Sequence, residues 1–121
     1  MPRVVHFEIH ADDVERCSNF YKTVFDWQIT RWPGPEEYLL VTTGPDNKPG
    51  INGGIMKRRD PKGNVYNTIE VDNLDEYTAK IISNGGANVV PKMEIPGVGW
   101  LAYFTDTDGN IFGVAQFFPR V

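Results

Sequence analysis

The stretch VVHFEIHADD, residues 4–13, sets His6, Glu8 and His10 at alternate positions. Imidazole and carboxylate groups this close in sequence suit two chemistries: holding a divalent cation, or general acid–base work by a carboxylate–histidine pair. Val5, Phe7, Ile9 and Ala11 fill the positions between them, and period two is the mark of a half-buried strand. A strand rises about 3.3 Å per residue, so His6 and His10 stand about 13 Å apart. Atoms ligating one ion lie only about 3–3.5 Å from one another. The two histidines cannot share an ion from a regular strand, and any metal partners must come from other strands.

The elements that would position these groups follow from local pattern. Asp12 stands where a helix N-cap belongs, with Glu15 three residues on as in a capping box. Val14, Cys17, Phe20, Tyr21, Val24 and Phe25 then form one apolar stripe at helical spacing, and Cys17 on it reads as an inert core residue. DWQITRW, YLLVTT and INGGIMK read as strands, separated by the turn PGPEE and the loop GPDNKPG. After the polar turn RRDPKGN the order restarts with the strand VYNTIEV. A helix capped by Asp72 or Asn73 comes next, closing at Asn84-Gly85-Gly86. Strands over about 87–92, 100–105 and 111–117 complete the unit, the last two joined by the turn signal DTDGN.

The order is βαβββ, twice. A weak repeat carries it: His6 falls on Tyr66 and Gly53 on Gly113, sixty positions on, and Tyr38 on Trp100 at sixty-two. The expectation is one domain, residues 1–121, built of units at about 1–60 and 61–121. A chain of this size supports one core. With 12 Lys and Arg against 16 Asp and Glu, the formal charge of −4 disfavours nucleic acid and anionic membrane as partners. No apolar run approaches the roughly 20 residues of a membrane span, and no signal-peptide pattern opens the chain. Cys17 is the one cysteine, so no disulfide is expected, and the expected location is the cytoplasm.

VVHFEIHADDVERCSNFYKTVFDW and FTDTDGNIFGV are similar to the opening and closing motifs of the vicinal oxygen chelate superfamily. That superfamily holds glyoxalase I, extradiol dioxygenases, fosfomycin-resistance transferases and bleomycin-binding proteins. PGINGGIM and IPGVGW bring the chain nearest to its short glyoxalase-like group, related to lactoylglutathione lyase. The resemblance implies an α+β fold in which two tandem βαβββ units form one domain, with a cupped eight-stranded sheet around a cleft. It also implies a homodimer. Metal-binding members of the superfamily take their ligands from four positions, which here are His6, Gly53, Tyr66 and Gly113. Only His6 is a common ligand, so no cofactor is expected, and a divalent metal would rest on His6.

Gly53-Gly54 and Gly113 either make room for a ligand or relieve strain in a curved sheet. His6, Glu8, Tyr38, Tyr66, Trp100 and Tyr103 are the residues expected to bind a ligand, with Trp32 as a further aromatic wall. One reading is a glyoxalase/bleomycin-resistance-like protein that binds a small organic molecule without a conventional metal site. The alternative is a metal-dependent lyase, isomerase or dioxygenase acting through His6. A third is an interaction subunit with a vestigial cleft. The residues leave open whether any reaction is catalysed.

Overall fold

The computed structural model describes residues 1–119. The first βαβββ run is β1 (Arg3–Ala11), α1 (Val14–Phe25), β2 (Gln28–Arg31), β3 (Tyr38–Thr42) and β4 (Asn52–Lys57). The second is β5 (Val65–Glu70), α2 (Leu74–Ser83), β6 (Ala87–Ile95), β7 (Gly99–Thr105) and β8 (Ile111–Phe117). The chain is thus α+β, with eight strands and two helices in the order expected. Its contacts divide it into two compact units, one of Val5–Tyr66 and one of Asn67–Val121 with Met1–Val4.

Strand pairing is the same in both runs. β1 pairs parallel with β4, β4 antiparallel with β3, and β3 antiparallel with β2. β5 pairs parallel with β8, β8 antiparallel with β7, and β7 antiparallel with β6. In each run the intervening helix covers one face of its own strands. Ile9, Ala11, Val14, Val41 and Ile55 form the core of the first unit, joined by Phe7, Tyr21, Trp27 and Leu39. Val71, Leu74, Ala102, Phe104 and Val114 form that of the second, joined by Ile69, Tyr77, Ile81 and Trp100. Ile9 and Ile69, like Val14 and Leu74, hold equivalent places sixty positions apart. Alternation in the strands and a helical stripe are sufficient to produce both cores.

Three local expectations are corrected. Asp13, not Asp12, caps α1: its backbone is extended, and its carboxylate accepts from the Arg16 N–H at 2.9 Å. Asp12 instead pairs with the Arg58 guanidinium at 2.9 Å. Asn73 caps α2 in the equivalent way, accepting from the Glu76 N–H. Secondly, β6 runs on to Ile95, past register irregularities that flank Pro91, which has no N–H to give the ladder. IPGVG is then a tight turn, closed by the Val98 N–H on the Ile95 carbonyl.

The third correction concerns register. Glu8 pairs with Gly54 and Leu40 also pairs with Gly54, while Thr68 and Tyr103 both pair with Gly113. Gly113 therefore matches Gly54, not Gly53. On the same count Tyr38 matches Leu101, not Trp100, since Tyr38 pairs with Met56 and Leu101 with Ala115. Core parity explains the shift. Ile55 and Val114 both point into their cores, and that fixes the neighbouring glycines to the other face.

Candidate functional site

Because Phe7, Ile9 and Ala11 face the α1-covered core, the same pleat sends His6, Glu8 and His10 to the opposite face of β1. Glu8 and His10 are nonetheless buried, 5% and 8% exposed. Buried polar groups need partners, and these are found in a line. The His6 Nε2 lies 2.7 Å from the Tyr38 hydroxyl, and that hydroxyl donates to Glu8 Oε2 at 3.2 Å. The other Glu8 oxygen, Oε1, lies 2.9 Å from His10 Nε2. The His10 ring packs against Tyr66 at 4.3 Å between centroids. All five residues lie within the Val5–Tyr66 unit.

A phenol has one proton to give, and Tyr38 gives it to Glu8. His6 must then donate its own Nε2–H to the Tyr38 oxygen, which leaves the His6 Nδ1 lone pair unshared. A Glu8 carboxylate accepts only, so His10 also donates from Nε2. Its Nδ1 is buried with no hydrogen-bond partner. Burial lowers the pKa of His6, partly offset by the Glu8 charge, and this keeps the imidazole neutral. Burial, the Glu8 charge and the hydrogen bond to Glu8 push the Tyr38 hydroxyl well above its ordinary value, so it retains its proton. Tyr66 is raised as well, by burial first and then by Asp60 and Glu8.

Tyr38 reaches this line because of a glycine. A Cβ on Gly54 would lie 2.0 Å from the Tyr38 hydroxyl oxygen, so any side chain there would displace the ring. Gly54 does make room, and its occupant is a side chain of the same protein. Gly53, on the helix-covered face, has the Phe7 ring in the corresponding place, 2.6 Å from its missing Cβ. Trp32 stands edge-on to Tyr38 at 6.3 Å and covers Gly34. The Trp32 N–H donates to the Tyr38 carbonyl at 2.8 Å, which anchors the two aromatics together.

Of the residues expected at the site, His6, Glu8 and Tyr38 are brought together directly, and Tyr66 joins through His10. On its own strands Tyr103 stands beside Gly113 and Thr68: a Cβ on Gly113 would be 3.2 Å from Thr68 Oγ1 and 3.4 Å from the Tyr103 ring. Trp100 is on the opposite face of β7 from Tyr103, packed into the α2 core with Lys92 Nζ 4.9 Å over its ring. His10 shares the alternation of His6 and Glu8, and parity alone could have marked it as part of the site. Gly54 was signalled only as a strand glycine. A shallow groove of about 570 Å³ opens beside α1, lined by Asp13, Ser18, Arg31 and Glu37 among others, and includes no member of the His6–Tyr38–Glu8–His10 line.

The metal centre that the superfamily resemblance implies can be tested against these residues. Among the described residues no group of three or more His, Cys, Asp and Glu converges to hold an ion. The His6 Nε2 is engaged by Tyr38. The β4 position on the His6 face is Gly54, whose side-chain space holds the Tyr38 phenol. Tyr66 and Gly113 replace the remaining usual ligands. These donors do not fit the three or four nitrogen, sulfur or carboxylate ligands such an ion takes.

Comparison with known proteins agrees with the resemblance read from the sequence. Residues 3–44 match the family model described as bleomycin resistance protein-like N-terminal. A glyoxylase-like domain-containing protein of Didymella fabae is 29% identical over 112 residues, covering 88% of this chain and 88% of its own length. The fold is that of a glyoxalase/bleomycin resistance protein/dioxygenase superfamily member from Vibrio splendidus, with a TM-score of 0.65 at 17% identity over 98% of this chain and all of the other. Methylmalonyl-CoA epimerase from Mycobacterium tuberculosis shares it too, with a TM-score of 0.69 at 13% identity over 95% of this chain and 87% of the enzyme. The chain spans 43% of the length of a Mycobacterium bovis protein, 25% identical over 115 residues, that is named as a candidate glyoxylase. No helix among the described residues is long and apolar enough to cross a membrane.

Proposed function

We propose that this glyoxalase/bleomycin-resistance-like protein binds a small organic molecule on the polar face of β1, through His6, Glu8, Tyr38 and Tyr66, without a conventional metal centre. The observation that carries this reading is the Tyr38 phenol lodged in the space of the missing Gly54 side chain, between His6 and Glu8. It replaces a potential ligand by an oriented hydrogen-bonding group. Aromatic walls with a few fixed polar groups are the usual furniture of small-molecule sites, and Trp32, Tyr38 and Tyr66 supply the walls here. The match of residues 3–44 to a bleomycin resistance protein-like model supports binding as the activity. On this reading the protein works in the cytoplasm as a homodimer, which light scattering of the purified protein checks.

The test is a fragment screen by NMR with isotopically labelled protein. Fragments are expected to shift the His6 and Tyr38 resonances, and Tyr38→Phe should weaken the best of them by tenfold or more. Binding that maps only to residues remote from His6 would defeat the reading. So would a stoichiometric metal that is lost on His6→Ala, which would instead support a metal-dependent lyase, isomerase or dioxygenase.

A further inference from the structure

The groove beside α1 lies on the helix-covered face, and the fold gives it a floor, an uncommitted polar group and a polarity. Ile29 and Leu39 form the apolar floor; Leu39 pairs with Ile55, which points into the core, and both floor residues pack against that core. The volume of about 570 Å³ is within the range of small-molecule sites. Ser18 lines the groove and is 3% exposed, yet its hydroxyl forms no hydrogen bond among the described residues. A helical serine in such a place can bond the carbonyl four residues back. Thr78, at the equivalent position of α2, does so, donating to the Leu74 carbonyl at 2.9 Å. Ser18 leaves the Val14 carbonyl alone and keeps its hydroxyl for the groove.

Chain direction polarises the groove. β1 ends at Ala11 and turns into α1, whose first turn carries Glu15. Glu37 lies at that same end, since Tyr38 pairs with Met56 and Ala11 with Lys57, the next residue of β4. At the other end α1 closes on Phe25 and the chain returns as β2, which sets Lys22 near Ile29. Arg31 stands between the two ends, opposite Leu39. Glu15, Lys22, Arg31 and Glu37 all line the groove, and their side chains form no ion pair or hydrogen bond among the described residues. The remaining charges are committed: Asp13 caps α1, Asp12 pairs with Arg58, and Lys57 Nζ donates to the Asp12 carbonyl. The free charges thus leave one end acidic and the other basic. Glu15 and Lys22 are two helical turns apart, about 10 Å, which is the span of three extended residues.

We propose that this groove binds a short peptide of two or three residues with free termini and an apolar side chain. Its ammonium group lies toward Glu15 and Glu37, its carboxylate toward Lys22 and Arg31, and its side chain on Ile29 and Leu39. Ser18 falls midway, one turn after Glu15 and one before Lys22, where the ligand needs a polar group to meet the hydroxyl. A peptide bond supplies one there, and an aliphatic chain between two charged ends does not. A ligand of a single charge would be attracted at one end and repelled at the other, so the groove selects a dipolar molecule. The site is separate from the one around His6 and does not depend on it.

Backbone amide NMR with alanyl-leucyl-alanine as the probe tests the proposal. Shifts are expected at Ser18, Ile29 and Leu39, with His6 and Tyr38 unmoved. N-acetylation of the probe should weaken binding about fivefold, the scale of exposed ion pairs, but under about twofold in Glu15→Gln/Glu37→Gln. Amidation of the probe's carboxylate should weaken it about fivefold as well, but under about twofold in Lys22→Gln/Arg31→Gln. All four residues are exposed, so both double variants keep the fold. Ser18→Ala should weaken the probe about threefold and leave urea unfolding unchanged, because the hydroxyl it removes holds nothing in the fold. Equal binding of the free, acetylated and amidated probes would overturn the dipolar ligand. A marked loss of stability in Ser18→Ala would show the hydroxyl committed to the fold and overturn its role in binding. If the probe shifts no groove residue, or only His6 and Tyr38, the groove is no peptide site. A fragment response at His6 is read separately, so the failure of one site leaves the other standing.

Discussion

Tyr38 and Gly54 depend on each other, and their dependence can be measured. A methyl on Gly54 would sit within 2.2 Å of three atoms of the Tyr38 ring and hydroxyl. Overpacking of this kind costs roughly 1–3 kcal/mol. Gly54→Ala should therefore be clearly destabilising in the wild type and nearly neutral in a Tyr38→Ala background. Urea denaturation of the four proteins gives the coupling energy, and additive losses would show that the contact is relieved without moving Tyr38. His6 offers a second measurement. Its pKa is lowered from 6.5 by burial against the opposing pull of Glu8. The unfolded chain gains a proton near pH 6.5 that the folded chain takes only at lower pH. The contribution of neutral His6 is thus present in full above about pH 6.5 and is lost as the pH falls toward the lowered value. Stability of the wild type should decline over that window more steeply than that of His6→Gln. Parallel profiles for the two proteins would refute the shift. None of this pairing was legible locally, because His6 and Tyr38 are far apart in the chain and meet only through β4. What the sequence did show was the alternation that put His6, Glu8 and His10 on one face.

Helix and strand positions were legible where side chains state their direction, and illegible where they do not. Both helices announce themselves by an apolar stripe and by Asp or Asn at the start. The choice between Asp12 and Asp13 turns on a long-range partner, since Arg58 draws Asp12 away and leaves Asp13 to cap. The N-caps give a prediction of their own. Asp13→Ala and Asn73→Ala each remove a side-chain acceptor from the N–H three residues on. Each should cost about 1 kcal/mol in equilibrium denaturation. Asp12→Ala, which loses only an exposed ion pair, should cost under about 0.5 kcal/mol if Asp13 is the true cap. A larger loss at Asp12 than at Asp13 would restore the capping expected from the sequence. The β4 register failed for a complementary reason: Gly53 and Gly54 carry no side chain to mark a face. Ile55 does, and its burial at 0% exposure fixes the pair. Trp100 illustrates the remaining gap. A tryptophan in a strand is compatible with either face, and Trp100 packs against the core cluster of Val71, Leu74, Ala102, Phe104 and Val114.

At the scale of the molecule, the repeat in sequence is a repeat in structure: two βαβββ units with one strand order and matching cores. The superfamily resemblance carries over the fold, because a fold needs only pattern, whereas a metal site needs particular atoms. In the polar line that starts on β1, His6 Nε2 is bonded to Tyr38 and His10 Nε2 to Glu8, and the Tyr38 phenol fills the side-chain space of Gly54. Ligands that bind the folded state alone raise its stability by mass action, so thermal unfolding separates the two chemistries in one experiment. Nickel, zinc or manganese at about 100 μM, added to chelator-treated protein, should move the Tm by less than about 1 °C. A neutral organic ligand at 100 times its Kd should add about 2.7 kcal/mol, or roughly 10 °C for a chain of this length. The increase should largely vanish in Tyr38→Phe, which keeps the ring over Gly54 but loses the hydroxyl between His6 and Glu8. A metal-induced rise of several degrees that disappears with His6→Ala would show that His6 gathers ligands despite its bond to Tyr38. The site would then be a chelating one, with Tyr38 displaced from the space it fills.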